Sequence, residues 1–590
     1  MVSVQESAVV MPAAEAKRRS WGRPLRVVAA VGAGVGLLLA FPPYGLWWLA
    51  PVAVALLAWA AHGQRLRGGF TLGLITGIVF FGPLLAWTNL HVGYAPWVLL
   101  TLFQATYLGL LGLALALMTP VVNRWPNAWP AVVALLWVAQ EALRDRAPFD
   151  GFPWGRLAFS QGDSPALRFA ALAGAPMVTF VVALAGGLLA LALWRATNRA
   201  ATVGEGANRA ATVGEGANRA ATVGEGANRA ADGGAGTNSA ADVGAGAAIN
   251  VATDAGAIAV RWKPWLAIAG AGAVMAVGLA VPASLPQGRP VTVAIVQGNV
   301  PRMGLDFNEQ RKAVLDNHVR ATIELAQRVD RGEQRRPDLV IWPENASDID
   351  PLLNEDAHAS IDQAAKAIQA PILVGAVLRG PGENESRNAG IVWLPVTSDD
   401  RMYLKRHPVP FAEYLPLRPI VEPVAKMITN QAKLLRSDFV AGTTPGVLTM
   451  GPAKVGDVIC FEVAYDELVR DVVTDGADLI AVQTNNATFD VAEATQQMAM
   501  VRLRAVEHGR DSLMASTVGI SGFVTSDGKV HQPSQFNTLS VEVRELHTSD
   551  GSTTLATRLG AWPEWALTLI AFLMLLGGPL AIVLRRRGIV

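Results

Sequence analysis

Three stretches of this chain carry residue types that do chemistry. Its single cysteine lies in Lys454-Val-Gly-Asp-Val-Ile-Cys460-Phe461-Glu462-Val-Ala-Tyr465. Val455 to Ile459 reads as a short buried strand and Tyr465 to Val473 as a helix, so the thiol falls on the turn between them. Backbone N–H groups and the positive end of a helix dipole at such a turn favour a thiolate. In Leu339-Val-Ile-Trp-Pro-Glu344, an apolar strand runs into a proline that stops it and leaves a carboxylate at the sheet rim. The third stretch, Tyr403-Leu-Lys405-Arg-His407-Pro-Val-Pro-Phe-Ala-Glu413, brings an amine and a further acid. Each alone has a bland explanation: a buried structural thiol, a loop acid, a surface amine. Together they supply a nucleophile, a base and a fixed cation, the set that acyl transfer through a thioester requires.

The chemistry sets conditions on those groups. A free thiol is mostly protonated near neutral pH, so a base within hydrogen-bond reach must take its proton. A carboxylate ordinarily ionises too low for this task, and desolvation in a pocket raises it. A lysine facing the developing oxyanion contributes about 3–4 kcal/mol. His407 is an alternative base, but its place before a proline-rich turn reads as structural.

Composition says where these groups work. Of 590 residues, 51% are hydrophobic and 16% charged, against roughly 25% charged in soluble domains. This describes a membrane protein carrying a sizeable polar domain. A net charge of +1 gives no reason to expect a nucleic-acid partner. One cysteine excludes an internal disulfide framework and a cysteine-based zinc site; no metal and no cofactor are expected.

Eight apolar stretches are expected to span a bilayer: Val27–Phe41, Tyr44–Ala61, Phe70–Thr88, Pro96–Thr119, Trp129–Leu143, Phe169–Trp194, Trp262–Val281 and Trp562–Leu584. The first reads as a retained anchor, since further spans follow at once. Trp129–Leu143 is the weakest, being short and containing Gln140 and Glu141. Basic residues then assign a cytoplasmic tail at 1–24, six spans within 25–199, a low-complexity cytoplasmic loop at 200–258 and a seventh span at 259–282. An extracytoplasmic catalytic domain occupies 283–561, and an eighth span with a basic cytoplasmic tail occupies 562–590. Four arginines between Arg144 and Arg168 fall on the wrong side of this scheme. The ten-residue Ala-Ala-Thr-Val-Gly-Glu-Gly-Ala-Asn-Arg repeats offer one valine per unit to bury, too little to order a solenoid. From Pro290 onward short apolar strands alternate with amphipathic helices, which implies sheets covered by helices.

The set Trp-Pro-Glu344, Tyr-x-Lys405-x-His-x-Val-Pro-Phe-x-Glu413 and Cys460-Phe-Glu462 resembles the carbon–nitrogen hydrolase (nitrilase) superfamily. Phe41-Pro-Pro-Tyr-Gly-Leu, Gly151-Phe-Pro-Trp154 and Val296-Gln-Gly-Asn-Val-Pro301 narrow the resemblance to its apolipoprotein N-acyltransferase family. That resemblance implies a nitrilase-like αββα sandwich on an eight-helix bundle in the bacterial inner membrane, working as a monomer. It implies Glu344 as base, Lys405 as oxyanion partner and Cys460 as nucleophile, supported by Glu413, Glu462 and Phe461. Trp154, Phe307, Tyr414 and Asn485 are the implied substrate contacts, and Pro408–Pro423 is a candidate lid. The implied partners are a membrane phospholipid as acyl donor and a diacylated apolipoprotein as acceptor. The chain departs from the family with Phe461 where tyrosine is usual, and with Thr484-Asn-Asn-Ala-Thr-Phe489 where Ser-Asn-Asp-Ala-Trp-Phe is usual. Two rivals remain. A membrane-tethered amidase would need the same triad but no large bundle. A transporter would leave ionisable groups along its spans, and apart from Glu141 these have almost none.

Overall fold

The structure, a computed structural model, describes residues 13–197, 264–283, 286–301, 310–396, 401–428 and 437–586. The repeats, Phe307 and the first half of the N-terminal tail lie outside these residues.

Every predicted apolar stretch contains a helix. Among the described residues, four helical runs are long and apolar enough to cross a membrane: Arg23–Ala40, Leu66–Leu84, Tyr94–Arg124 and Pro165–Thr197. Leu49–Ala61, Trp265–Ala280 and Trp562–Gly578 are apolar but shorter. The helix Trp129–Arg144 buries Gln140 and Glu141 and belongs to neither group. Its acid is satisfied: Glu141 accepts from Trp137 Nε1, the Leu157 N–H and Thr179 Oγ1 at 3.1, 2.7 and 2.8 Å. Glycine decides the closest helix pair, because a Cβ at Gly69, Gly73 or Gly77 would run into the backbone of the Tyr94–Leu117 helix. Small residues four apart let membrane helices approach in this way. On the last helix Leu569, Ile570, Phe572 and Leu573 point outward, more than half exposed, as lipid contact requires.

The region after Pro290 builds two sheets. In the first, β1 (Pro290–Gln297) runs between β13 (Ser540–His547, antiparallel) and β2 (Leu339–Ile341, parallel). It continues through β3 (Ile372–Arg379), β4 (Glu385–Trp393) and β5 (Met402–Leu404), with β6 (Asp438–Phe439) pairing β4. The second has the order β12-β11-β10-β9-β8-β7, from Val530–His531, Gly522–Val524, Ser512–Ser516, Leu479–Thr484, Ala453–Ile459 and Val447–Met450. Its three central strands, β8, β9 and β10, are parallel.

Strand alternation sends Val293, Ile295, Leu339, Ile341, Val455, Leu479 and Leu513 into one core between the sheets. The opposite face of the first sheet packs on the helices Arg311–Asp330 and Glu355–Ile368. The opposite face of the second packs on Val491–His508, and that helix packs on the bundle, so Val482, Val501, Phe159 and Leu167 share one cluster. Charge reinforces the junction. Arg156 pairs with Asp466 and Asp145 at 2.7 and 3.1 Å, and Arg504 with Asp466 at 2.7 Å.

Candidate active site

Cys460, Glu344 and Lys405 meet at one rim, where parallel strands end. In open parallel sheets this carboxyl edge is where ligands sit. Cys460 follows the last residue of β8 with φ +56°, a left-handed value that turns the chain sharply into the short helix Cys460–Ala464. The α-helix begins only at Asp466, so the expected α-helical dipole does not act directly on the sulfur. Arg504 holds this turn from below by donating to the carbonyls of Val463 and Ala464, both at 2.8 Å.

Glu344 follows β2, and its backbone presses on β3 where a Cβ at Gly375 would strike the Pro343 carbonyl. Asn388 Nδ2 donates to its Oε1 at 2.6 Å, Lys405 Nζ approaches the same oxygen at 3.4 Å, and the Asn485 N–H donates to Oε2 at 2.9 Å. Lys405 follows β5 and is 1% exposed; its Nζ also donates to Glu413 Oε1 at 2.8 Å. The ammonium therefore stands between two carboxylates. Burial disfavours its charge, but Glu413 and Glu344 more than offset this and hold it well above the usual lysine range. Burial likewise raises Glu344, opposed by Lys405 and aided by Glu413.

The surroundings of the thiol oppose the thiolate that the turn favours. Burial and then Glu344 push Cys460 up, and Lys405 only partly counters them. This environment favours the thiol over the thiolate, so a neighbouring base has a proton to take. Thr484 Oγ1 donates toward Sγ at 3.5 Å and Gln497 Nε2 at 3.8 Å.

The supporting acids separate into two tasks. Glu413 Oε2 accepts from the Val409 N–H at 2.7 Å, which closes the loop around Lys405. Glu462, fully buried, accepts from the N–H groups of Arg406, His407 and Ile459 at 2.7, 3.0 and 2.8 Å, and from Tyr403 OH at 2.8 Å. It ties the lysine loop to the cysteine turn. His407 packs on Tyr465 at 4.1 Å between centroids. Phe461 stacks on Trp154, which is 1% exposed and donates from Nε1 to Gln496 Oε1 at 2.6 Å. Tyr414 is half-buried, its carbonyl accepting from the Phe411 N–H at 2.8 Å. Asn485 acts through its backbone on Glu344, while its Oδ1 accepts from the Ala487 N–H at 3.1 Å. Asn388, Gln496 and Gln497 escaped the sequence reading because lone amides in a strand or helix carry no spacing signal. Thr484 was legible only as a departure from a motif.

Comparison with known proteins gives the chain its relatives. Residues 33–188 match the apolipoprotein N-acyltransferase N-terminal domain, and residues 292–552 match the carbon-nitrogen hydrolase family. The apolipoprotein N-acyltransferase of Mycolicibacterium smegmatis is 37% identical over 512 residues, covering 85% of this chain and 76% of the relative. That of Photobacterium profundum is 25% identical, covering 93% and 95%. Among solved structures, an amidase of the nitrilase superfamily from Nesterenkonia AN1 is similar at 18% identity and a TM-score of 0.33, over 45% of this chain and 93% of that one. With both halves matched in order along its length, this chain belongs to the apolipoprotein N-acyltransferase family.

Proposed function

We propose a two-step acyl transfer in which Cys460 is the nucleophile, Glu344 the general base and acid, and Lys405 the oxyanion partner. Glu344 takes the thiol proton as sulfur attacks an ester carbonyl of a membrane phospholipid. The oxyanion that forms faces the Lys405 ammonium. Its collapse expels the lysophospholipid alkoxide, which receives the proton from Glu344 and leaves a thioester on Cys460. The free α-amino group of a diacylglyceryl-cysteine at an apolipoprotein N-terminus then attacks the thioester. Glu344 takes a proton from that nitrogen and returns it to the departing sulfur, giving an amide and the resting thiol.

The observation that carries this reading is the placement of Lys405 Nζ, 3.4 Å from Glu344 and 2.8 Å from Glu413, at the edge where the cysteine turn emerges. The ammonium keeps its charge there and is ready for an oxyanion. The bundle supports lipid substrates over a small soluble amide, because the cysteine turn stacks directly on it through Phe461 and Trp154. In this reading eight helices span the membrane, the region 283–561 lies on the extracytoplasmic side, and one chain supplies every catalytic group. Incubation with phospholipid should add one acyl mass to Cys460, and Cys460→Ala should neither gain that mass nor acylate a diacylated lipopeptide. Lipopeptide acylation by Cys460→Ala would end this mechanism.

A further inference from the structure

Asp457 lies three residues before Cys460 on β8, wholly buried, and neither of its carboxyl oxygens meets a hydrogen-bond donor among the described residues. The Val458 N–H lies close enough to favour the anion slightly, the weakest influence on the group, but it misses hydrogen-bond geometry. No ion pair reaches the group among those residues; the charges that act on it are the carboxylates of Glu462 and Glu344, and both disfavour an anion.

Gln483, on the adjacent strand β9, is equally buried. Its Nε2 donates to the Trp342 carbonyl at 2.5 Å, two residues before Glu344. That contact fixes the amide: nitrogen must face the carbonyl, so Oε1 must face away, and it too meets no donor. The two sets of oxygens converge over Gly390 of β4. A Cβ there would collide with Asp457 Oδ2 and stand 2.9 Å from Gln483 Oε1. An ionised carboxylate against an amide oxygen would be repelled and unpaired, whereas a carboxylic acid supplies the one donor this place lacks.

We propose that Asp457 is a positioning residue that keeps its proton throughout the reaction and donates it to Gln483 Oε1, so that the Gln483 amide holds the Trp342 carbonyl, and with it the Pro343–Glu344 turn, against the cysteine strand. The chain Asp457–Gln483–Trp342 then ties the strand bearing the nucleophile to the strand bearing the base, across the two sheets. The idea rests on Glu344 acting as that base.

The test uses the full chain in detergent. An infrared difference spectrum of wild type against Asp457→Asn at neutral pH should contain a protonated-carboxyl C=O band. Its absence overturns the proposal whichever group acts as base. Asp457→Leu should lower kcat for lipopeptide acylation about tenfold, the scale of one lost buried hydrogen bond, with KM kept and the acid limb of the pH profile displaced. Asp457→Asn, whose amide N–H replaces the acid O–H, should recover to within about threefold of wild type. A band together with an unchanged Asp457→Leu rate overturns the positioning role and leaves the base untouched. An Asp457→Asn variant as slow as Asp457→Leu shows that the acid is needed for something an amide cannot supply, and also overturns the proposal. Should Asp457→Leu fail to fold, the band and the Asp457→Asn rate decide.

Discussion

Phe461 lies flat on Trp154, with ring planes 6° apart and centroids 5.5 Å apart. One ring belongs to the cysteine turn and the other to a loop of the helical bundle. A stacked pair adds about 0.5–1.5 kcal/mol beyond the area it buries. Trp154→Leu and Phe461→Leu should therefore be coupled by about 1 kcal/mol in a double-mutant cycle, read in both unfolding and kcat/KM. Strict additivity would mean that the bundle and the nucleophile are not linked through these rings.

Lys405 is buried and ion-paired, so its removal is costly. Lys405→Met leaves buried Glu344 and partly buried Glu413 without their cation, and breaking a buried pair costs about 3–5 kcal/mol. Loss of the oxyanion partner should separately slow Cys460 acylation by about 10²–10³. Chemical denaturation and the rate of acyl-enzyme formation measure the two effects independently. A Lys405→Met chain of wild-type stability would contradict the stabilising role of this ion triad.

The pH dependence follows from Glu344. Its pKa is raised by burial, and only the ionised carboxylate can accept the thiol proton. Acylation should rise with pH through that raised value, placing the acid limb above the roughly 4.3 of an ordinary glutamate. Because Glu344 and Cys460 influence each other, the limb belongs to the pair. Glu413 also raises Glu344, so Glu413→Gln should move the limb to lower pH. A shift to higher pH would reverse the assigned interaction.

Much of this was legible because apolar runs and their stops are local signals. Pro343 ends one strand and leaves Glu344 at the rim, and the lone cysteine follows an apolar run, so topology alone brought both to the same edge. β13 lies outside the apolar-run pattern, because Ser540–His547 alternates polar and apolar residues and is mostly half-exposed, the mark of a half-buried strand. The four arginines between Arg144 and Arg168 conflicted with the charge rule for membrane orientation. In the structure Arg144 donates to the carbonyls of Phe152 and Trp154, Arg146 pairs with Glu564, Arg156 with Asp466, and Arg168 donates to the carbonyls of Leu279 and Val281. All four are internal ties, and a counting rule written for free loop charges does not describe them.

The helix Val491–His508 serves two masters at once: one flank roofs the second sheet, the other is seated in the helical bundle. The line between two sequence families, drawn cleanly on paper, is thus no seam in the folded object. Cut there, the catalytic half would bare an oily underside and shed the aromatic floor beneath its sulfur. The enzyme is held together through its own border, and its chemistry is as much a property of the membrane half as of the sandwich that carries the reactive groups.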